Sequence, residues 1–135
     1  MKKREHKDYL QDIVDAVNDA ENFVKDMNFE QFAEDRKTLN AVVRSLEIIG
    51  EASKNIPTAM REKFSDIPWK RMMGMRDKVI HGYFGVDTKT LWNTVKDDLP
   101  PLKRLVQKML KDLEKFILNN NNIQLRWLKI CGLKL

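Results

Sequence analysis

Apolar residues in this chain recur at helical spacing and almost nowhere at strand spacing, which restricts the fold more than any other feature. Leu10, Ile13, Val14, Val17, Val24 and Met27, with Ala20 between them, fall on one face of a 3.6-residue repeat. Leu39, Val42, Val43, Leu46 and Ile49 make a second stripe, from which Ile48 falls aside. Leu102, Leu105, Val106, Met109, Leu113, Phe116 and Ile117 make a third. With 5 Gly and 4 Pro in 135 residues, little interrupts these stripes, and runs of alternating β-branched residues are absent. Amphipathic helices joined by short connections predict an all-α, antiparallel helical bundle.

Boundary signals divide the pattern. Asn28 reads as the cap of a short turn, FEQFAED, and the second long helix fades at Asn55-Ile56-Pro57. Pro57 suits the first turn of PTAMREKF. Asp66 reads as the cap of a helix through SDIPWKRMMGMRDKVIHG, with Pro68 near its start and Gly82 and Gly85 at its end. Asp87 or Thr88 caps TKTLWNTVKDDL, and Pro100 and Pro101 introduce a bend or a new first turn. Asn is a poor helix former, so the run NNNN at 119–122 predicts a break. The expected division is a bundle over 1–118 and an Asn-rich linker with an apolar, basic tail over 119–135.

At 42% hydrophobic residues the chain can build a core, yet no window is apolar enough to cross a bilayer. The start, MKKREHKDYL, lacks the apolar region of a secretory signal. The single Cys131 cannot close an internal disulfide. These features fit a cytoplasmic protein. His6 and His81 lie far apart and no Cys pair exists, so neither a metal site nor a cofactor is expected. A net charge of +5 suits nucleic acid, and suits an acidic protein partner equally.

One window concentrates the chemistry: GMRDKVIHGYFGVD, residues 74–87. In a continuous helix Asp77 and His81 stack at i, i+4, and the carboxylate would orient the imidazole. Arg76, five residues before His81, would lie about 140° round that helix. A single small site then needs a helix distorted near Gly82, or two copies of the chain placed about a two-fold axis. Such a shared cleft would hold two cations for phosphates and two imidazoles for proton transfer, the parts needed to cut RNA through its own 2′-hydroxyl. From spacing alone, Asp77 and His81 are equally well read as an ordinary surface pair.

The same window resembles the signature of the HEPN superfamily, and its R-x4-H-x-Y form resembles the HepT-like toxins paired with MNT-type nucleotidyltransferase antitoxins. The blocks RSLEIIGEASKNIP (44–57), IPWKRMMGMRDKVIHGYFGVD (67–87) and LWNTVKDDLPPLK (91–103) extend the resemblance to roughly residues 5–117. It implies an all-α homodimer with its cleft at the interface, acting as a ribonuclease with tRNA among the targets. It implies that Arg76 and His81 are the catalytic pair and Asp77 the polar residue beside them. It also implies that Tyr83 is the residue the antitoxin modifies with AMP. The alternative is a catalytically silent helical dimer that binds nucleotide or the partner protein.

Other residues carry two readings each. Arg104, Lys108, Lys111 and Lys115 could track an RNA backbone or form a solvated helix face. Met72, Met73 and Met75 could line a dimer seam or the core. Trp69 and Trp92 read as core or interface anchors. Glu51 could pair with Arg76 or with a Lys.

Overall fold

The computed structural model describes residues 3–80 and 85–130, with backbone alone at 122–125 and 127–130. Eight α-helices follow in order among the described residues: α1 His6–Phe23, α2 Phe29–Glu34, α3 Arg36–Lys54, α4 Thr58–Lys63, α5 Trp69–Met73, α6 Met75–Val79, α7 Thr88–Asn93 and α8 Leu99–Ile130. A π-helical turn, Thr94–Asp98, joins α7 to α8. No strand occurs among the described residues, and the all-α class read from periodicity holds.

Most of the three stripes becomes the core, but the third ends early: Phe116 and Ile117, read as part of it, are exposed. Leu10, Ile13, Val14, Val17, Ala20 and Val24 are buried, as are Val42, Val43, Leu46 and Ile49, and Leu102, Val106 and Met109. α1 packs on both α3 and α8 and so lies between the other two long helices. Each deeply buried Leu or Ile contributes about 1.5–3 kcal/mol relative to exposure. Trp69 is buried and its ring N–H donates to the Phe64 carbonyl, while Trp92 packs on Phe29 and Phe32. Met72 and Met75 are buried and Met73 is partly so, which makes them core residues.

Local chemistry sets the starts. The Asn28 side chain accepts from the Gln31 N–H and the Gln31 side chain accepts from the Asn28 N–H, which closes a capping box. Asp35 caps α3 through the Thr38 N–H, and Asp87 caps α7 through the Thr90 N–H. The π-turn before α8 has a simple source: Pro100 and Pro101 carry no N–H, and the Leu99 N–H reaches back five residues to the Thr94 carbonyl.

Three boundaries differ from expectation. Asp66 caps nothing: Pro68 holds the N-cap of α5, with no side-chain bond. The expected single helix through 67–82 is two short ones, broken at Gly74 and finished at Val79 rather than at Gly82. α8 does not break at Asn119–Asn122 but runs through them to Ile130. Asn costs only tenths of a kcal/mol more than its neighbours in a helix, too little to stop one already propagating.

Candidate active site

The charged end of the molecule is set by a glycine. A Cβ on Gly50 would lie 3.3 Å from the carbonyl oxygens of both Met72 and Met73, so α3 and the end of α5 approach more closely than a side chain at this position would comfortably fit. Gly74 then redirects the chain into α6. Met75 and Val79, four residues apart, are buried and fix that short helix by one face. Arg76 and Asp77 turn away from that face, and both are exposed.

Arg76 reaches back to α3. Its Nε–H donates to Glu47 Oε1 over 2.8 Å, while Arg44 Nη1 donates to Glu47 Oε2 over 3.1 Å. Both carboxylate oxygens are thereby occupied by guanidinium groups. Partial burial pushes the Glu47 carboxyl upward, but the hydrogen bonds from Arg76 and then Arg44, with their charges, outweigh it and hold it below the ordinary value. Asp77 Oδ1 stands 3.8 Å from Arg76 Nη1, an ion-pair distance too long for a hydrogen bond. Glu51, considered from sequence as a partner for Arg76, pairs instead with Lys54 on its own helix at 3.3 Å.

These side chains border an open groove of about 330 Å³. Arg44, Lys54 and Arg76 face Glu47, Glu51 and Asp77 across it. The groove therefore balances three cations against three anions, and hydrogen-bond donors of Arg76 remain directed away from Glu47. A guanidinium with its Nη edge uncommitted suits a phosphate, which it can grip at two oxygens.

α6 lines this groove with Arg76 and Asp77 in its first turn and ends at Val79. The Ile80 N–H donates to the Arg76 carbonyl at 3.2 Å, and Ile80 then turns extended, with φ −107° and ψ 123°. Ile80 pairs with Val86 in an isolated antiparallel bridge, and the Asp87 N–H donates to the Val79 carbonyl at 2.8 Å. His81 and Tyr83 lie outside the described residues, but the positions on either side of their segment are pinned together at the end of α6. Among the described residues α6 ends at Val79 and Ile80 is extended, so the i, i+4 placement expected for Asp77 and His81 falls on a residue outside the described ones.

Arg104, Lys108, Lys111 and Lys115 are all exposed on α8, beyond the core face of that helix. Lys108 borders a separate hollow with Lys63, Asp66 and Asp112. Glu47 is the participant that sequence reasoning missed. Its signal was the spacing E-x-x-G in SLEIIGEA, which places a carboxylate one turn before the glycine of closest approach.

Comparison with known proteins adds a second line of observation. The family described as HepT-like, Ribonuclease HepT-like, matches residues 13–109. A Thermococcus cleftensis protein named "Probable ribonuclease HepT" is 54% identical over 109 residues, which cover 81% of this chain and 99% of that relative. A Methanocaldococcus jannaschii protein with a provisional RNase name is 49% identical over 85% of this chain and 99% of its own length. Another with such a name, from Caldanaerobacter subterraneus subsp. tengcongensis, is 46% identical over 76% of this chain and 92% of its own length. No solved structure matches the chain.

Proposed function

Because this chain belongs to the HepT-like ribonuclease family, we propose that it is a metal-independent endoribonuclease toxin whose catalytic pair is Arg76 and His81. The observation that carries the reading is the course of α6: it delivers Arg76 to a charged groove, ties Ile80 to the Arg76 carbonyl, and ends at Val79, two residues before His81.

In the proposed reaction the 2′-oxygen attacks the adjacent phosphorus. Its proton passes to a neutral imidazole of His81, and the bond from phosphorus to the 5′-oxygen breaks. That oxygen takes a proton from an imidazolium. The products are a 2′,3′-cyclic phosphate and a 5′-hydroxyl. Arg76 stabilises the charge that grows on the phosphoryl oxygens, a role worth about 10²–10³ in rate for one well-placed donor. Proton transfer by a positioned histidine adds about 10²–10⁴. Asp77, beside Arg76, helps shape the field at the groove.

The reaction uses a base and an acid, whereas the motif holds one histidine per chain. A homodimer with the ends of its two α6 helices facing each other would bring two imidazoles and two guanidiniums together. The need for both a base and an acid is a physical reason for a dimer. Exposed Arg104, Lys108, Lys111 and Lys115 would hold the backbone of a large RNA such as tRNA. The proposed regulation is by an MNT-type nucleotidyltransferase that adds AMP to Tyr83, two residues after His81. The attached phosphate would compete for Arg76 and repel the substrate.

The test is incubation of the purified chain with total tRNA in EDTA, beside Arg76→Ala and His81→Ala. Cleavage by the wild type and by neither variant supports the assignment; equal cleavage by His81→Ala removes it. Intact-mass measurement after co-expression with the neighbouring nucleotidyltransferase tests the regulation. AMP additions should be present on the wild type and absent on Tyr83→Phe.

A further inference from the structure

We propose that Glu47 is a positioning residue for Arg76, holding the guanidinium by its Nε edge so that the two Nη groups face the scissile phosphate. The inference rests on the ribonuclease reading of the Arg76 groove and assigns to that site a residue outside the R-x4-H-x-Y motif.

A guanidinium offers five N–H donors in a planar fork, and the edge that is gripped decides what the others face. Glu47 takes the single Nε–H at 2.8 Å, and among the described residues no hydrogen bond uses Nη1 or Nη2 of Arg76. A carboxylate that gripped both Nη groups in a fork would leave only Nε for a phosphate. The observed arrangement leaves the two-pronged edge.

Glu47 is itself prevented from swinging. Arg44 occupies its second oxygen at 3.1 Å, and the Glu47 side chain is 29% exposed, against 49% for Arg76. The carboxylate is thus the less mobile partner, anchored on a 19-residue helix. Arg76 projects from a helix of 5 residues. A long, flexible side chain on so short a support gains more from an external tether than from its own backbone. Gly50 sets the reach, because the 3.3 Å approach of α3 to the Met72 and Met73 carbonyls fixes the distance between the two helices.

The role also explains an electrostatic cost. A carboxylate beside a catalytic cation weakens that cation's pull on phosphate. Arg44, shared through the same carboxylate, offsets the charge of Glu47, while Asp77 Oδ1, 3.8 Å from Arg76 Nη1, stands as a second anion beside the guanidinium without a hydrogen bond to it.

The experiment compares Glu47→Gln and Glu47→Ala in single-turnover RNA cleavage, with melting temperatures recorded alongside. Glu47→Gln keeps an oxygen acceptor and loses the charge, so its chemical step should slow about tenfold, and that of Glu47→Ala about a hundredfold, as misplacement of a catalytic group does. KM should move by less than about threefold. In an Arg76→Lys background, which has no Nε–H, Glu47→Gln should add nothing. A role in folding alone would lower the melting temperature and slow both backgrounds equally, which overturns the proposal.

A second readout needs no activity. In ¹⁵N-labelled protein the Arg76 Nε–H signal, assigned by its loss in Arg76→Lys, should shift and exchange faster with water in Glu47→Gln. An unchanged signal overturns the positioning role even if RNA is cut. A wild type that cuts no RNA, with the signal shifting as expected, overturns the ribonuclease reading of the groove and leaves the tether standing.

Discussion

Ile80 and Val86 pair across a single antiparallel bridge, closing the chain on itself at the end of α6, one residue before His81. The Asp87 N–H adds a second tie to the Val79 carbonyl, and the Asp87 side chain then caps α7. The segment that carries the proposed catalytic histidine therefore leaves and rejoins the bundle at one fixed point.

Gly85 belongs to that closure. Its φ is +102°, a conformation that an L side chain adopts only with strain, and an added Cβ would meet nothing within 4 Å. The cost of Gly85→Ala is thus one of backbone conformation alone, about 1–2 kcal/mol. Urea denaturation should show that loss, and RNA cleavage should fall with it. Unchanged stability would mean that the chain can close in another conformation.

Gly50→Ala tests the close approach of α3 to α5. Alanine gains up to about 1 kcal/mol in helix propensity over glycine. Its Cβ, however, would press on two backbone carbonyls at 3.3 Å, which no rotamer change can relieve. Overpacking of this kind costs about 1–3 kcal/mol. A net loss of roughly 1 kcal/mol is expected in chemical denaturation, with a larger proportional loss of cleavage because Glu47 and Arg76 are forced apart.

The Glu47 carboxyl should leave a mark on stability against pH. Its folded-state pKa is held below the ordinary 4.5, so its contribution is present above that value and is lost as pH falls through the folded value. Melting temperatures measured downward from pH 6 should begin to drop near pH 5 and continue below 4.5. Glu47→Gln removes the titration, so its decline over that window should be shallower than that of the wild type. Parallel curves would show that the Arg76 and Arg44 bonds do not favour the ionised form.

Residues 114–121 are exposed on α8, with Phe116, Ile117 and Leu118 between 48% and 61% exposed. Among the described side chains of α8, every buried position lies at or before Met109. Ending the chain after Leu118 should therefore change unfolding free energy by no more than about 0.5 kcal/mol, the usual scale for surface changes. The measurement is urea denaturation of the truncated and full chains. A larger loss would show that the tail packs on the bundle.

The sequence exposed the parts of this fold that depend on local pattern. The stripes of α1, α3 and α8 follow from helical periodicity, and Asn28 and Asp87 announce their caps by side-chain chemistry. The stop at Val79 did not show, because nothing in RDKVIHG opposes a longer helix. It comes from a pairing with Val86, six residues on, and from the Asp87 tie. Gly74 looked tolerable inside a helix because one glycine costs only about 1 kcal/mol there. At the site, Arg76 stood out as part of a motif. Its partner did not, since Glu47 lies 29 residues away and resembles Glu51 one turn later in every local respect. Only the packing of α3 on α5 separates the two.

The chemistry of the cut ends tests the central claim most directly. A defined RNA should be incubated with wild-type protein in EDTA and its fragments weighed by mass spectrometry, with Arg76→Ala and His81→Ala as controls. Attack by the 2′-hydroxyl predicts fragments ending in a 2′,3′-cyclic phosphate and beginning with a 5′-hydroxyl, absent with either variant. Fragments beginning with a 5′-phosphate, or cleavage that appears only when a divalent metal is restored, would contradict it.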